Sequence, residues 1–120
     1  MLIKQKYIKL IFWILAIAVL VLSSIPASVS YSHSIQHLDK LAHFGTFFAL
    51  SILLLFAYKF SKPFFTTALV MALFGLAIEV LHLYVPRRVF SMYDFAADLL
   101  GIMVALIVFR ILSSRFIATS

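Results

Sequence analysis

The sequence predicts an all-α membrane protein: four transmembrane helices joined by short loops, with both termini in the cytoplasm. Three observations carry this. Hydrophobic residues make up 65% of the 120 residues and charged residues only 12%, against about 25% charged in a soluble domain. The apolar residues fall into four long runs separated by prolines, serines and charges. Lysines and arginines are unevenly divided between the two sets of run ends, which is the pattern that orients a membrane protein.

The first span covers about residues 7–25. It follows Lys4, Lys6 and Lys9 and is stopped by Pro26. About 18 residues of helix extend about 27 Å, close to the hydrocarbon thickness of a bilayer. A cleaved signal peptide has the same order of basic, apolar and small residues, but this apolar run exceeds a usual signal core, so a retained span is expected. Residues 26–38 read as a polar loop. Asp39 reads as the N-cap of a second span over about 41–60. Lys59, Ser61, Lys62 and Pro63 make a basic turn. The third span runs over about 64–85 and ends at Pro86. After a short loop with Arg87 and Arg88, the fourth spans about 95–112. The chain is expected to be one domain, 1–120.

Near the span ends, Lys4, Lys6, Lys9, Lys59, Lys62, Arg110 and Arg115 lie on one side, and Lys40, Arg87 and Arg88 on the other. The first side is therefore expected to be cytoplasmic. The net charge of +6 then reflects orientation. The basic residues punctuate apolar runs and form no interleaved basic surface, so no nucleic-acid partner is expected. With no cysteine, a thiol nucleophile, a disulfide and a thiolate metal site are excluded.

All four carboxylates, Asp39, Glu79, Asp94 and Asp98, belong to the expected outer side. Glu79 lies seven residues before Pro86, well inside a span, where an acid costs about 2.5–3.5 kcal/mol on insertion scales and turns towards the bundle interior. His82 and Gly75 share its helix face. Asp94 and Asp98 are four residues apart, as are Asp39 and His43. Ser91 and Asp94 fit a capping box, but Asp98 lies beyond the first turn and needs another reason. Three helices thus bring ionisable groups to one depth. Such a site offers Glu79, His43 and Asp94 as acid/base candidates. Lys40, Asp39, His82, Arg88, Ser91 and Asp98 are candidates for holding a ligand, with Lys40 and Arg88 suited to an anion. Glu79-x-x-His82 has the spacing of di-metal bundles, but those need it on two helices. It occurs once here, so no metal and no cofactor are expected.

These residues resemble the VanZ-like family of small membrane proteins associated with teicoplanin resistance. The family pattern is Asp-Lys-x-x-His at a helix head, here Asp39, Lys40 and His43. It continues with Glu-x-x-Gln, where Glu79 matches and His82 stands in place of glutamine. An arginine follows, here Arg88, and then Asp-x-x-x-Asn and glycine, here Asp94, Asp98 in place of asparagine, and Gly101. The resemblance covers about residues 22–108, and both departures add an ionisable group. It implies a bacterial cell-membrane protein whose functional centre is this polar set, with membrane lipids and an anionic envelope or lipid-linked ligand as partners, and glycopeptide resistance as the associated phenotype. A membrane-embedded enzyme using acid/base chemistry on a lipid-linked or cell-wall substrate is the alternative. A proton-coupled carrier or assembly subunit ranks third, because the inner halves of the spans carry almost no polar residue.

Overall fold

In a computed structural model, which describes residues 5–24, 33–85 and 92–119, the chain forms α1 (Gln5–Ser23), α2 (His33–Ala57), α3 (Pro63–His82) and α4 (Met92–Thr119). All four contain a stretch long and apolar enough to cross a membrane. The described residues are helical apart from short connections. Backbone polar groups satisfied within each segment are what a bilayer demands.

Several boundaries differ from the sequence reading: α2 and α3 end at Ala57 and His82, three residues short of the expected ends, α4 starts three residues early at Met92, and two differences are larger. Helix α2 begins at His33, so residues 33–38 are helix and not loop, and Asp39 sits inside the helix instead of capping it. The polar composition of this stretch hides a helical turn that projects beyond the apolar run. Helix α4 likewise continues past residue 112 to Thr119. Between α2 and α3, Pro63 occupies the first turn of α3, where its missing N–H costs nothing. The Thr66 N–H then donates to the Lys62 carbonyl to start the helical ladder.

The bundle is built on the α2–α4 interface, its largest; α3 packs against both, and α1 leans on α2 with a narrower edge against α3. Small residues allow the central contact. A Cβ on Gly101 would stand 2.4 Å from the Phe44 carbonyl oxygen and 3.0 Å from the Phe48 nitrogen. Ala105, one turn on, is fully buried. Glycine and alanine at this spacing let membrane helices approach backbone to backbone. Phe12, Phe47, Leu50, Met71, Ile78 and Ile102 fill the space between helices.

Elsewhere the usual distribution is inverted. Ile14, Ile17 and Val21 of α1, Leu73 and Val80 of α3, and Met103 and Ile107 of α4 face outward, while Glu79, His82, Asp94 and Asp98 are buried. Lipid is the solvent such a surface fits. At the lysine-rich end, the Trp13 indole N–H donates to the Tyr58 hydroxyl at 2.9 Å, and the Lys9 ammonium lies 4.9 Å from the Tyr58 ring centroid. Aromatic rings with a polar tip and long basic side chains belong at a membrane–water boundary.

Candidate functional site

Antiparallel threading brings the start of α2, the end of α3 and the start of α4 to the same end of the bundle. Spacings of three and four residues then place pairs of side chains on single helix faces: Lys40 and His43 on α2, Glu79 and His82 on α3, Asp94 and Asp98 on α4. The structure brings these six residues together. Lys40 Nζ donates to Asp94 Oδ1 at 2.8 Å. His43 stands between two carboxylates, with Nδ1 2.8 Å from Asp98 Oδ1 and Nε2 3.8 Å from Asp94 Oδ2. His82 Nδ1 is 3.5 Å from Glu79 Oε1 within α3. The side chains of Asp98 and Glu79 are fully buried, while that of Lys40 keeps 38% exposure.

Contacts between α2 and α4 run from the Lys40–His43 face to the Asp94–Asp98 face. Glu79 and His82 meet along α3. Lys40, expected to be available to an anionic ligand, is engaged with Asp94. Asp94 occupies the first turn of α4, where an acid favours the helix N-terminus, and its carboxylate also serves the Lys40 ion pair. Gly75 leaves room for the cluster: a Cβ there would come within 3.0 Å of Asp98 Oδ2 and 3.2 Å of the Phe47 ring. The side chain of Asp39, together with Arg88 and Ser91, lies outside the described residues.

Beside the cluster is a cavity of about 250 Å³, whose lining includes Leu22 and Ser23 of α1, His43 and Thr46 of α2, and Ile78 and His82 of α3. Sequence reasoning missed α1 as a wall of this site. The paired serines 23 and 24, which close an otherwise apolar run, were the available signal. A second cavity of about 400 Å³ lies towards the lysine-rich end, lined by Phe12, Trp13, Leu54, Met71 and Phe74 among others. It is apolar, and the polar cluster does not continue into it.

The His43–Asp98 contact has the form of a carboxylate-oriented imidazole. With Asp98 ionised, the Nδ1 proton is held by the carboxylate, and Nε2 is turned towards Asp94 Oδ2. Asp94 and Lys40 complete a polar chain on one side, and Glu79 and His82 extend it towards α3.

A bundle of four apolar spans with a buried ionisable cluster at one end defines a multi-pass integral membrane protein. Its family follows from comparison: the chain matches the VanZ/LLP1 family over residues 4–113, and it belongs to that family. Neither the comparison with curated proteins nor that with solved structures gave a match.

Proposed function

We propose that the protein acts in the bacterial plasma membrane, with both termini in the cytoplasm and the polar cluster at the outer face. There it engages an anionic or lipid-linked envelope ligand and lowers sensitivity to teicoplanin. The chain works as a single domain, with membrane lipids around it. The reading rests on the convergence of Lys40, His43, Glu79, His82, Asp94 and Asp98 beside a cavity at one end of the bundle. The larger number of lysines and arginines at the other end supports the orientation. Asp39, Arg88 and Ser91 join the site in this reading through their place in the sequence, Arg88 as a guanidinium for a phosphate or carboxylate.

A second reading, an enzyme acting on a lipid-linked or cell-wall substrate, is favoured by one contact: the 2.8 Å approach of His43 to the buried Asp98 carboxylate. Catalysis would then use His43 as the proton-transfer group, with Glu79 and Asp94 as its acid/base partners. Proton-coupled transport has less support, because the lining of the inner cavity is apolar.

The deciding experiment is teicoplanin susceptibility in a glycopeptide-sensitive host. It compares empty vector, the protein, and equally expressed Glu79→Gln and Arg88→Ala variants. Resistance that needs both residues supports the reading. A well-expressed protein that leaves susceptibility unchanged removes the resistance function and directs attention to lipid-substrate assays.

A further inference from the structure

Three of the buried groups form a set with a different meaning from a chain of ion pairs. His43, Glu79 and Asp98 come from three helices, and each offers one nitrogen or oxygen such that all three atoms lie within 4.8 Å of one another. Around a divalent ion with donors at about 2.0–2.2 Å, neighbouring donors of a tetrahedral site stand about 3.3–3.6 Å apart. One edge here, His43 Nδ1 to Asp98 Oδ1, is already 2.8 Å. That edge would widen and the longer ones close as an ion enters.

A second observation concerns His82, which stands beside this set of three and would turn to join it. His82 is 3% exposed, its Nδ1 lies 3.5 Å from Glu79 Oε1, and its Nε2 has no hydrogen-bond partner among the described residues. Its ring lines the same cavity as His43. A buried imidazole nitrogen without a partner is costly in an apolar bundle, and a metal ion is one way to satisfy it.

We propose that His43, Glu79, Asp98 and His82 bind one divalent transition-metal ion, with Zn²⁺ the best match. Two imidazoles and two carboxylates suit four-coordinate zinc. Mg²⁺ and Ca²⁺ prefer all-oxygen shells, and the absence of cysteine removes the thiolates that select softer ions. The ion would lie between α2, α3 and α4 and bind all three together. The cavity lined by both histidines gives the ion a route in from outside. This site goes beyond the resistance reading and does not depend on it.

The test uses the full chain purified in detergent, stripped with chelator and dialysed against Zn²⁺, with Mg²⁺ and Ca²⁺ as controls. Bound metal is measured by elemental analysis, and thermal unfolding is followed with and without Zn²⁺. Wild type should hold about one Zn²⁺ per chain with four-coordinate ligation and should melt higher when zinc is present. The His82→Gln/Asp98→Asn double variant nearly keeps side-chain volume and replaces an imidazole and a carboxylate with amides. It should lose more than about tenfold in affinity and lose the thermal shift, and Glu79→Gln should weaken binding independently. His33→Ala/His37→Ala removes a histidine pair four residues apart at the start of α2 and should leave zinc uptake intact. The proposal is overturned if wild type takes up no zinc. It is also overturned if both site variants bind zinc like wild type, or if uptake disappears with His33 and His37 instead. Teicoplanin susceptibility enters none of these outcomes, so the two proposals fail separately.

Discussion

Replacing Gly101 with alanine tests the closest backbone approach in the bundle. The new Cβ would meet the Phe44 carbonyl oxygen at 2.4 Å and the Phe48 nitrogen at 3.0 Å, both main-chain atoms of α2 that no rotamer change can move. Ordinary packing needs about 3.5 Å, so α2 and α4 must separate by about 1 Å along their main interface. Overpacking of this kind costs about 1–3 kcal/mol, while alanine recovers about 0.8–1.0 kcal/mol of helix propensity over glycine. A net loss of about 0–2 kcal/mol against wild type is expected, and of about 1–3 kcal/mol against an alanine placed where there is room. Because the Lys40–Asp94 and His43–Asp98 contacts cross the same interface, the separation also loosens the site. Gly45→Ala is the internal control: nothing lies within 4 Å of its added Cβ, so only the propensity gain applies, and the variant should be as stable as wild type or more so. Reversible unfolding of the purified protein in mixed micelles measures both. If Gly101→Ala proves as stable as Gly45→Ala, the reasoning from the α2–α4 approach is wrong.

Other substitutions separate further parts of the structure. His43→Ala leaves the buried Asp98 carboxylate without its 2.8 Å partner and should cost about 3 kcal/mol. Lys40→Ala breaks an ion pair whose lysine is 38% exposed and should cost less than about 1 kcal/mol; the same unfolding assay ranks the two. Gly75→Val should disturb the site more than the fold. It pushes on Asp98 and the Phe47 ring, side chains that can yield, so susceptibility or metal binding should fall before stability does. At the other end, Trp13→Phe and Tyr58→Phe both remove one 2.9 Å hydrogen bond. A double-mutant cycle should return a coupling of about 0.5–1.5 kcal/mol, and zero coupling would refute the contact. Fusing a cytoplasm-active and a periplasm-active reporter in turn to the C-terminus should give signal only from the former if the lysine-rich end is cytoplasmic.

The four spans were legible because a bilayer imposes length and apolarity, and these survive in a linear sequence. The limits of α2 were not. His33 to Asp39 carry the composition of a loop, and only the observed helix shows Asp39 to lie beyond any cap position. At the site, spacing alone put Lys40 with His43, Glu79 with His82, and Asp94 with Asp98 on common faces. It could not choose partners across helices. In a span that is apolar on every face, periodicity does not tell which way the helix is turned, so the pairing of Lys40 with Asp94 and of His43 with Asp98 had no sequence signature. The close contact made possible by Gly101 fixes that rotation. Its glycine was visible in the sequence, but the backbone it would meet was not.

If the cluster takes a lipid-linked ligand, as proposed, the attachment of α1 bears on how that ligand arrives. This helix is held by a few buried residues, among them Ile8, Phe12 and Ala16, and it walls both the polar and the apolar cavity. The other three helices keep their mutual contacts without it. An outward tilt of α1 alone would open both cavities, one partly polar and one apolar, sideways to the bilayer. A molecule with a charged head and a long hydrocarbon tail would then arrive by diffusing in the plane of the membrane, meeting His43 and His82 with its head while its tail never leaves lipid.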